Sequence, residues 1–180
     1  RSTGLGRVTK LKKLLQAPFT LHRGILDHLR RETEHARNGK PAHIIAKMNS
    51  LVDPDVIREL YRASQAGVRV DLFVRGLCCL RPGIPGVSEN ITVRSIVGRY
   101  LEHSRIFYFL NGGTEEIYIA SADWMERNFF RRIEVVFPIE DGNLRERVLH
   151  EILERMLADN AKARVLHSDG LYHRQPPRRG

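Results

Sequence analysis

Two cysteines, one tryptophan and a 7 % aromatic share exclude several classes of protein at once. Cys78 and Cys79 are adjacent and have no further thiol to join, so neither a disulfide framework nor a cysteine zinc site can be built. That usage points to a reducing cytoplasm, with buried packing the default role of both thiols. No run approaches the ~20 apolar residues of a membrane-spanning helix, and the first residues lack the apolar core of a signal peptide. Phe and Tyr fall mostly in apolar segments rather than between basic residues, so the chain shows little of the stacking pattern of a nucleic-acid reader. Acidic residues are in deficit: 21 Asp and Glu face 30 Lys and Arg, a formal charge of +9. A chain this basic calls for polyanionic partners, whether nucleic acid, anionic lipid headgroups, nucleotides or a phosphate polymer.

What is present fits one α/β domain of 180 residues, enough to bury roughly 70 % of the surface of its unfolded chain. Residues 1–18 open with Gly, Ser and Thr and turn basic, which reads as a linker from an upstream domain. Residues 19–167 carry the folded domain, and 168–180 read as a flexible basic tail. Thr20 can cap a helix over 21–37 that Asn38-Gly39 closes. An apolar strand over 42–47, a helix started by Asp53-Pro54 and a strand over 68–74 make a βαβ unit with parallel strands. A proline- and glycine-rich loop over 76–90 leads to a strand over 91–96. Further strands are expected over 106–110, 115–120 and 131–139, then a helix over about 143–158 and an edge strand over 163–166.

The chemistry concentrates in RSIVGRYLEHSRIFYFLNGGTEEIYIASAD, residues 94–123. Two strands joined at Asn111-Gly112-Gly113 pair antiparallel, which sets His103 and Arg105 beside Ser121 and Asp123. Lys47 and Arg75 emerge together at the carboxyl edge of the βαβ unit, where open α/β sheets bind ligands. One mixed sheet would gather Lys47, Arg75, His103, Arg105 and Asp123 around one cleft. Guanidinium forks suit phosphate oxygens, and imidazole can carry a proton near neutral pH. Read singly, each residue also has an ordinary role. His103 would be a satisfied histidine, Arg75 a rim charge, Lys47 and Arg105 solvated or paired with Glu102 or Glu115, and Asp123 a cap. His22, His28 and His35 lack metal-like spacing and read as solvated or stacking side chains.

The run AKMNSLVDPDVIRELYRASQAGVRVDLFVRGLCCLRPGIPGVSENITVRSIVGRYLEHSRIFYF, with APFTLHRGILDHL before it and EEIYIASADWMERN after it, closely resembles the C-terminal catalytic region of bacterial polyphosphate kinases. The resemblance covers about residues 4–166 and implies a phospholipase D-like mixed sheet flanked by helices, one half of a two-half catalytic module. The half-site elements stand here as His103-Ser104-Arg105 and Ala120-Ser121-Ala122-Asp123, where the phospholipase D signature has His-x-Lys and Gly-Ser-x-Asn. The resemblance makes His103 catalytic at the ATP site and Arg75 a nucleotide contact, and the cleft read from the residues adds Lys47, Arg105, Ser121 and Asp123 as candidate phosphate contacts. It places the phosphate-accepting histidine, and most ligands of Mg²⁺, in a preceding domain, so this fragment should hold no metal and should not autophosphorylate. Implied partners are ATP or ADP, inorganic polyphosphate and upstream domains of one homo-oligomeric enzyme, with no nucleic acid. The implied location is cytoplasmic, with room for peripheral contact at the inner membrane. Two other readings stand: a non-catalytic polyanion-binding module, and a phospholipase D-like phosphodiesterase working as a homodimer. The Arg105 and Asp123 departures weigh against the second.

Overall fold

The computed structural model describes residues 15–16, 21–95, 105–120, 135–138, 142–147, 150–151, 154–158 and 164–174. Among these, nine strands form one mixed sheet. In chain order they are β1 (Leu15–Gln16), β2 (His43–Met48), β3 (Arg69–Val74), β4 (Ile91–Arg94), β5 (Arg105–Phe109), β6 (Glu116–Ala120), β7 (Val135–Pro138), β8 (Arg164–Leu166) and β9 (Tyr172–Arg174). The spatial order is β1-β7-β6-β5-β2-β3-β4-β8-β9. The centre is the expected βαβ unit, since β2 runs parallel to β3 with His43 opposite Arg69 and Met48 opposite Val74. β4 continues the parallel run beside β3, and β5 pairs antiparallel with β2.

Helix α1 (Leu21–Arg37) and helix α2 (Pro54–Gln65) cover one face. Ile25, Leu26 and Leu29 of α1 and Val56, Leu60 and Ala63 of α2 pack on Ile44, Ala46, Met48, Val70, Leu72, Val74, Val93, Phe107 and Phe109. Asp53 starts α2 as its N-cap, in extended conformation, accepting from the Val56 backbone N–H at 2.9 Å, with Pro54 in the first turn. Gly67, at φ +94°, turns the chain out of α2 into β3. The other face of the sheet buries Ile45, Phe73, Ile106, Tyr108 and Ile117, with Leu157 packed against them. Leu157 lies on a short helix, Glu154–Ala158, which with Gly142–Arg147 occupies the range expected for the last helix.

The glycine turn between β5 and β6 also forms as expected, with Asn111 and Gly112 at φ +52° and +66°. Glu32 of α1, fully buried, fastens it by accepting backbone N–H groups from Asn111 at 2.8 Å and His43 at 3.2 Å. Burial pushes the Glu32 carboxyl up from its ordinary range, and those two N–H donors oppose the rise.

Three expectations need correction. Leu15–Gln16, inside the presumed linker, pairs with β7. Residues 168–174, read as the start of a flexible tail, instead turn and form β9 against β8, so β8 is not an edge strand. The basic composition of this stretch hid the alternation of a two-strand pairing around Gly170. Cys78 is partly buried but Cys79 is exposed, because the segment after β3 turns successive side chains to opposite sides. Thr20 lies outside the described residues.

Candidate functional site

The parallel pairing of β2 and β3 does not stop where the strands end. Backbone bonds continue past them from Arg75 N–H to Met48 C=O (3.2 Å), Gly76 N–H to Asn49 C=O (2.6 Å), Leu51 N–H to Leu77 C=O (2.8 Å) and Cys79 N–H to Leu51 C=O (2.9 Å). These rungs hold Arg75 against the end of β2. From the opposite side, β5 sets Ile106 opposite Lys47, which brings Arg105, its first residue, to the same corner. Three cations therefore meet at the carboxyl edge of the sheet.

Lys47 is 5 % exposed, sharing its face with Ile45 and its register positions with Phe73 and Ile106. Burial, then the Arg105 charge and then the Arg75 charge push its ammonium down to about 8. A buried cation beside two guanidinium groups is electrostatically costly, and an entering anion would lower that cost by attraction to all three. The ordinary reading of Lys47 as a solvated side chain therefore fails. Glu115 accepts a hydrogen bond from the Tyr108 hydroxyl at 3.1 Å.

Of the expected site residues, the structure brings together Lys47, Arg75 and Arg105. His103, Ser121 and Asp123 lie outside the described residues. The hairpin has the expected antiparallel sense, with Arg105 opposite Ala120. Mg²⁺ demands a shell of oxygen ligands. Among the described residues of this corner, the three charged side chains are donors only, so they fit phosphate oxygens and not a magnesium shell.

Other charged clusters lie elsewhere on the sheet and its helices. Asp71, 1 % exposed, accepts from His43 Nε2 at 2.7 Å, Arg69 Nε at 2.9 Å and Arg94 at 3.1 Å. Burial raises its proton affinity, but the His43 bond, the Arg69 charge and the Arg94 bond outweigh that and hold the carboxyl below its ordinary range. Glu116 takes both Arg31 guanidinium nitrogens at 3.0 and 3.1 Å and the Tyr118 hydroxyl at 2.7 Å, and Tyr118 is also 2.8 Å from His28 Nε2. Burial opposes ionisation of Glu116, yet the bonds from His28, Arg31 and Tyr118 bring it down to about 2. His28 also packs its ring on Phe109 and Tyr118, which makes it the stacking residue its sequence context suggested. His35 reaches Asn111 at 2.9 Å. His22 stands 3.4 Å from Asp53 and 3.6 Å from Asp55, a staple across the starts of two helices in which Asp53 is already engaged as a cap. A recess of about 430 Å³ between α1 and α2 is a seam of ion pairs, with Glu59 bonded to Arg30 and Arg62.

Comparison with known proteins gives a consistent result. The family model described as polyphosphate kinase C-terminal domain 2 matches residues 14–179. A polyphosphate kinase of Pseudomonas aeruginosa is 62 % identical over 174 residues, covering 97 % of this chain and 25 % of that protein. One from Neisseria meningitidis serogroup B is 59 % identical over 178 residues, covering 99 % and 26 %. The chain thus spans about a quarter of the length of these relatives. The crystal structure of a polyphosphate kinase from Porphyromonas gingivalis is 45 % identical, with a TM-score of 0.86 over 93 % of this chain and 26 % of that one. Nuc, a phospholipase D family member from Salmonella typhimurium, shares the fold with a TM-score of 0.55 at 15 % identity, over 90 % of this chain and 97 % of its own. The expected phospholipase D-like mixed sheet is therefore borne out.

Proposed function

Because the chain belongs to the polyphosphate kinase C-terminal domain family, we propose that it supplies the nucleotide-phosphate half of an enzyme that moves the γ-phosphoryl of ATP reversibly onto polyphosphate. The single observation that carries this reading is the convergence of Lys47, Arg75 and Arg105 at the carboxyl edge, with Lys47 buried beside two like charges. Arg75 and Arg105 grip non-bridging oxygens of the triphosphate through paired N–H donors, and Lys47 adds a point charge from below.

The transfer runs in two displacements. The nitrogen of a histidine in the preceding domain attacks the γ-phosphorus, the bond to the bridging oxygen breaks, and ADP leaves with that oxygen and its electron pair. The terminal oxygen of a polyphosphate chain then attacks the phosphohistidine phosphorus, which frees the histidine and lengthens the chain by one phosphate. In such transfers positioning and charge neutralisation supply most of the catalysis. His103 is assigned to the face opposite the accepting histidine, where it handles a proton or stabilises charge. Ser121 and Asp123 complete the phosphate contacts. Magnesium, which pairs with nucleotide phosphates in such reactions, is assigned to ligands outside the described cations. The site of action is the cytoplasm, where ATP is abundant, and no helix among the described residues is long and apolar enough to cross a membrane.

The test is steady-state kinetics of the full-length enzyme carrying this domain, with Arg75→Ala and Lys47→Ala. A raised KM for ATP in both supports the reading. Unchanged ATP kinetics in both would leave the corner a structural charge cluster.

A further inference from the structure

The rungs that carry the chain beyond β2 and β3 close on one residue with no side chain. Gly76 N–H approaches Asn49 C=O at 2.6 Å, the shortest of the four bonds that join these segments. A Cβ built at Gly76 would lie 2.9 Å from the Asn49 carbonyl oxygen and 3.2 Å from Ser50 Oγ. The first contact is with backbone, which cannot swing aside as a side-chain end can. Gly76 is not in the left-handed region, unlike Gly83 and Gly86 of the same loop, so turn geometry does not account for a glycine here. Close approach does.

The neighbours of this contact are the candidate site itself. Arg75 precedes Gly76, and Lys47 lies two residues before Asn49 on β2. Beyond the contact, Leu51 and Cys78 form a further parallel bridge and the Leu51 side chain is fully buried, so the far end of the clamp is anchored in the core. With Met48 and Val74 buried on one side and Leu51 on the other, a side chain at 76 can gain space only by parting the short stretch between them, which carries Arg75. We propose that Gly76 is the positioning residue of the phosphate site, setting the separation between Arg75 and Lys47 so that one phosphate group meets both. Gly76 acts through Arg75 and touches no ligand. This assignment rests on the phosphate reading of the Lys47–Arg75–Arg105 corner, and the experiment separates the two.

The experiment is a double-mutant cycle in the full-length enzyme, with wild type, Gly76→Ala, Arg75→Ala and the double variant, each assayed for kcat and for KM with ATP and melted to confirm folding. Gly76→Ala should raise the KM for ATP by about tenfold or more, since displacements near 1 Å at a site carry effects of that order. On the Arg75→Ala background the same change should have little further effect, because its route to the ligand is gone. Equal effects of Gly76→Ala on both backgrounds, or a wild-type KM in folded Gly76→Ala while Arg75→Ala is impaired, would overturn the positioning role and leave the phosphate reading intact. Wild-type ATP kinetics in Arg75→Ala would overturn the positioning role, and the same result in Lys47→Ala would overturn the phosphate reading with it. Should Gly76→Ala fail to fold, Cys79→Pro removes a rung at the far end of the clamp without a clash at Asn49. A folded Cys79→Pro enzyme should then show a smaller rise in KM, and an unchanged KM would contradict the clamp.

Discussion

The two ends of the β2–β3 pair both collect basic side chains, and they treat them in opposite ways. At the amino end, His43 and Arg69 flank a buried carboxylate, Asp71, which Arg94 also reaches from its place opposite Phe73 on β4, and the three pull its proton affinity down. At the carboxyl end, Lys47 is buried beside Arg75 and Arg105, and its proton affinity is pulled down too, which for a cation signals discomfort. A lowered carboxylate means that the charged form is welcome; a lowered ammonium means that it is not. The amino end centres on a buried carboxylate held ionised by its neighbours. The carboxyl end centres on a buried ammonium whose charged form burial and two nearby guanidinium groups disfavour, and the proposed phosphate site rests on this contrast.

The largest expected effect comes from the proposed proton-handling residue. In the full-length enzyme His103→Ala should lower kcat by on the order of 10²–10⁴-fold, the range of a lost proton-handling group. Near-normal turnover would remove His103 from the mechanism. Arg75→Ala should lower kcat/KM for ATP by about 10- to 100-fold, the worth of charge-assisted hydrogen bonds to phosphate. The same measurement on Asp71→Asn should leave ATP kinetics near wild type. Its damage should appear as stability, a loss of about 3 kcal/mol in denaturant unfolding, because Arg94 would lose its carboxylate while largely enclosed.

Lys47→Met should do the reverse of Asp71→Asn, gaining about 1–3 kcal/mol in unfolding experiments while weakening ATP. The sign follows from the lowered ammonium. Lys47 releases its proton at about 8 in the folded chain against 10.5 as an ordinary lysine. Between those pH values the unfolded chain binds more protons, so stability rises with pH across the window, and the full cost of Lys47 is present below pH 8. The Lys47→Met substitution should abolish that rise. ATP affinity should move the other way, falling as pH climbs through about 8 and the site loses one positive charge. For Asp71 the sign is that of a lowered carboxylate. Its stabilisation is complete above the ordinary carboxylate pKa of 3.8 and is lost as pH falls below that value.

Much of this is legible in the sequence. Asp53-Pro54 announced α2, Gly67 closed it, and the apolar run VRVDLFV after it marked β3, because local signals and core burial agree at each point. Lys47 and Arg75 could be set together from topology alone, since parallel strands must end on the same side. Three things were hidden. The burial of Lys47 depends on Ile106 and Phe73 arriving from strands distant in sequence, which composition near Lys47 cannot reveal. Gly76 was also hidden, because it stands in a loop already rich in glycine, and its reason is a contact with Asn49 that no local pattern encodes. The pairing of β9 with β8 escaped for a similar reason, as three-residue strands carry too little alternation to separate from a tail.

The most direct test of the central claim is calorimetric titration of ATP, and separately of polyphosphate, into this chain at low and high salt. Four forms suffice: wild type, Arg75→Ala, Asp71→Asn, and Arg58→Ala, which deletes an equal charge from an exposed helix position paired with Asp55. A built phosphate site predicts saturable binding that Arg75→Ala weakens strongly while Asp71→Asn and Arg58→Ala retain it. Binding that follows only salt and net charge, with Arg75→Ala and Arg58→Ala indistinguishable, would contradict such a site.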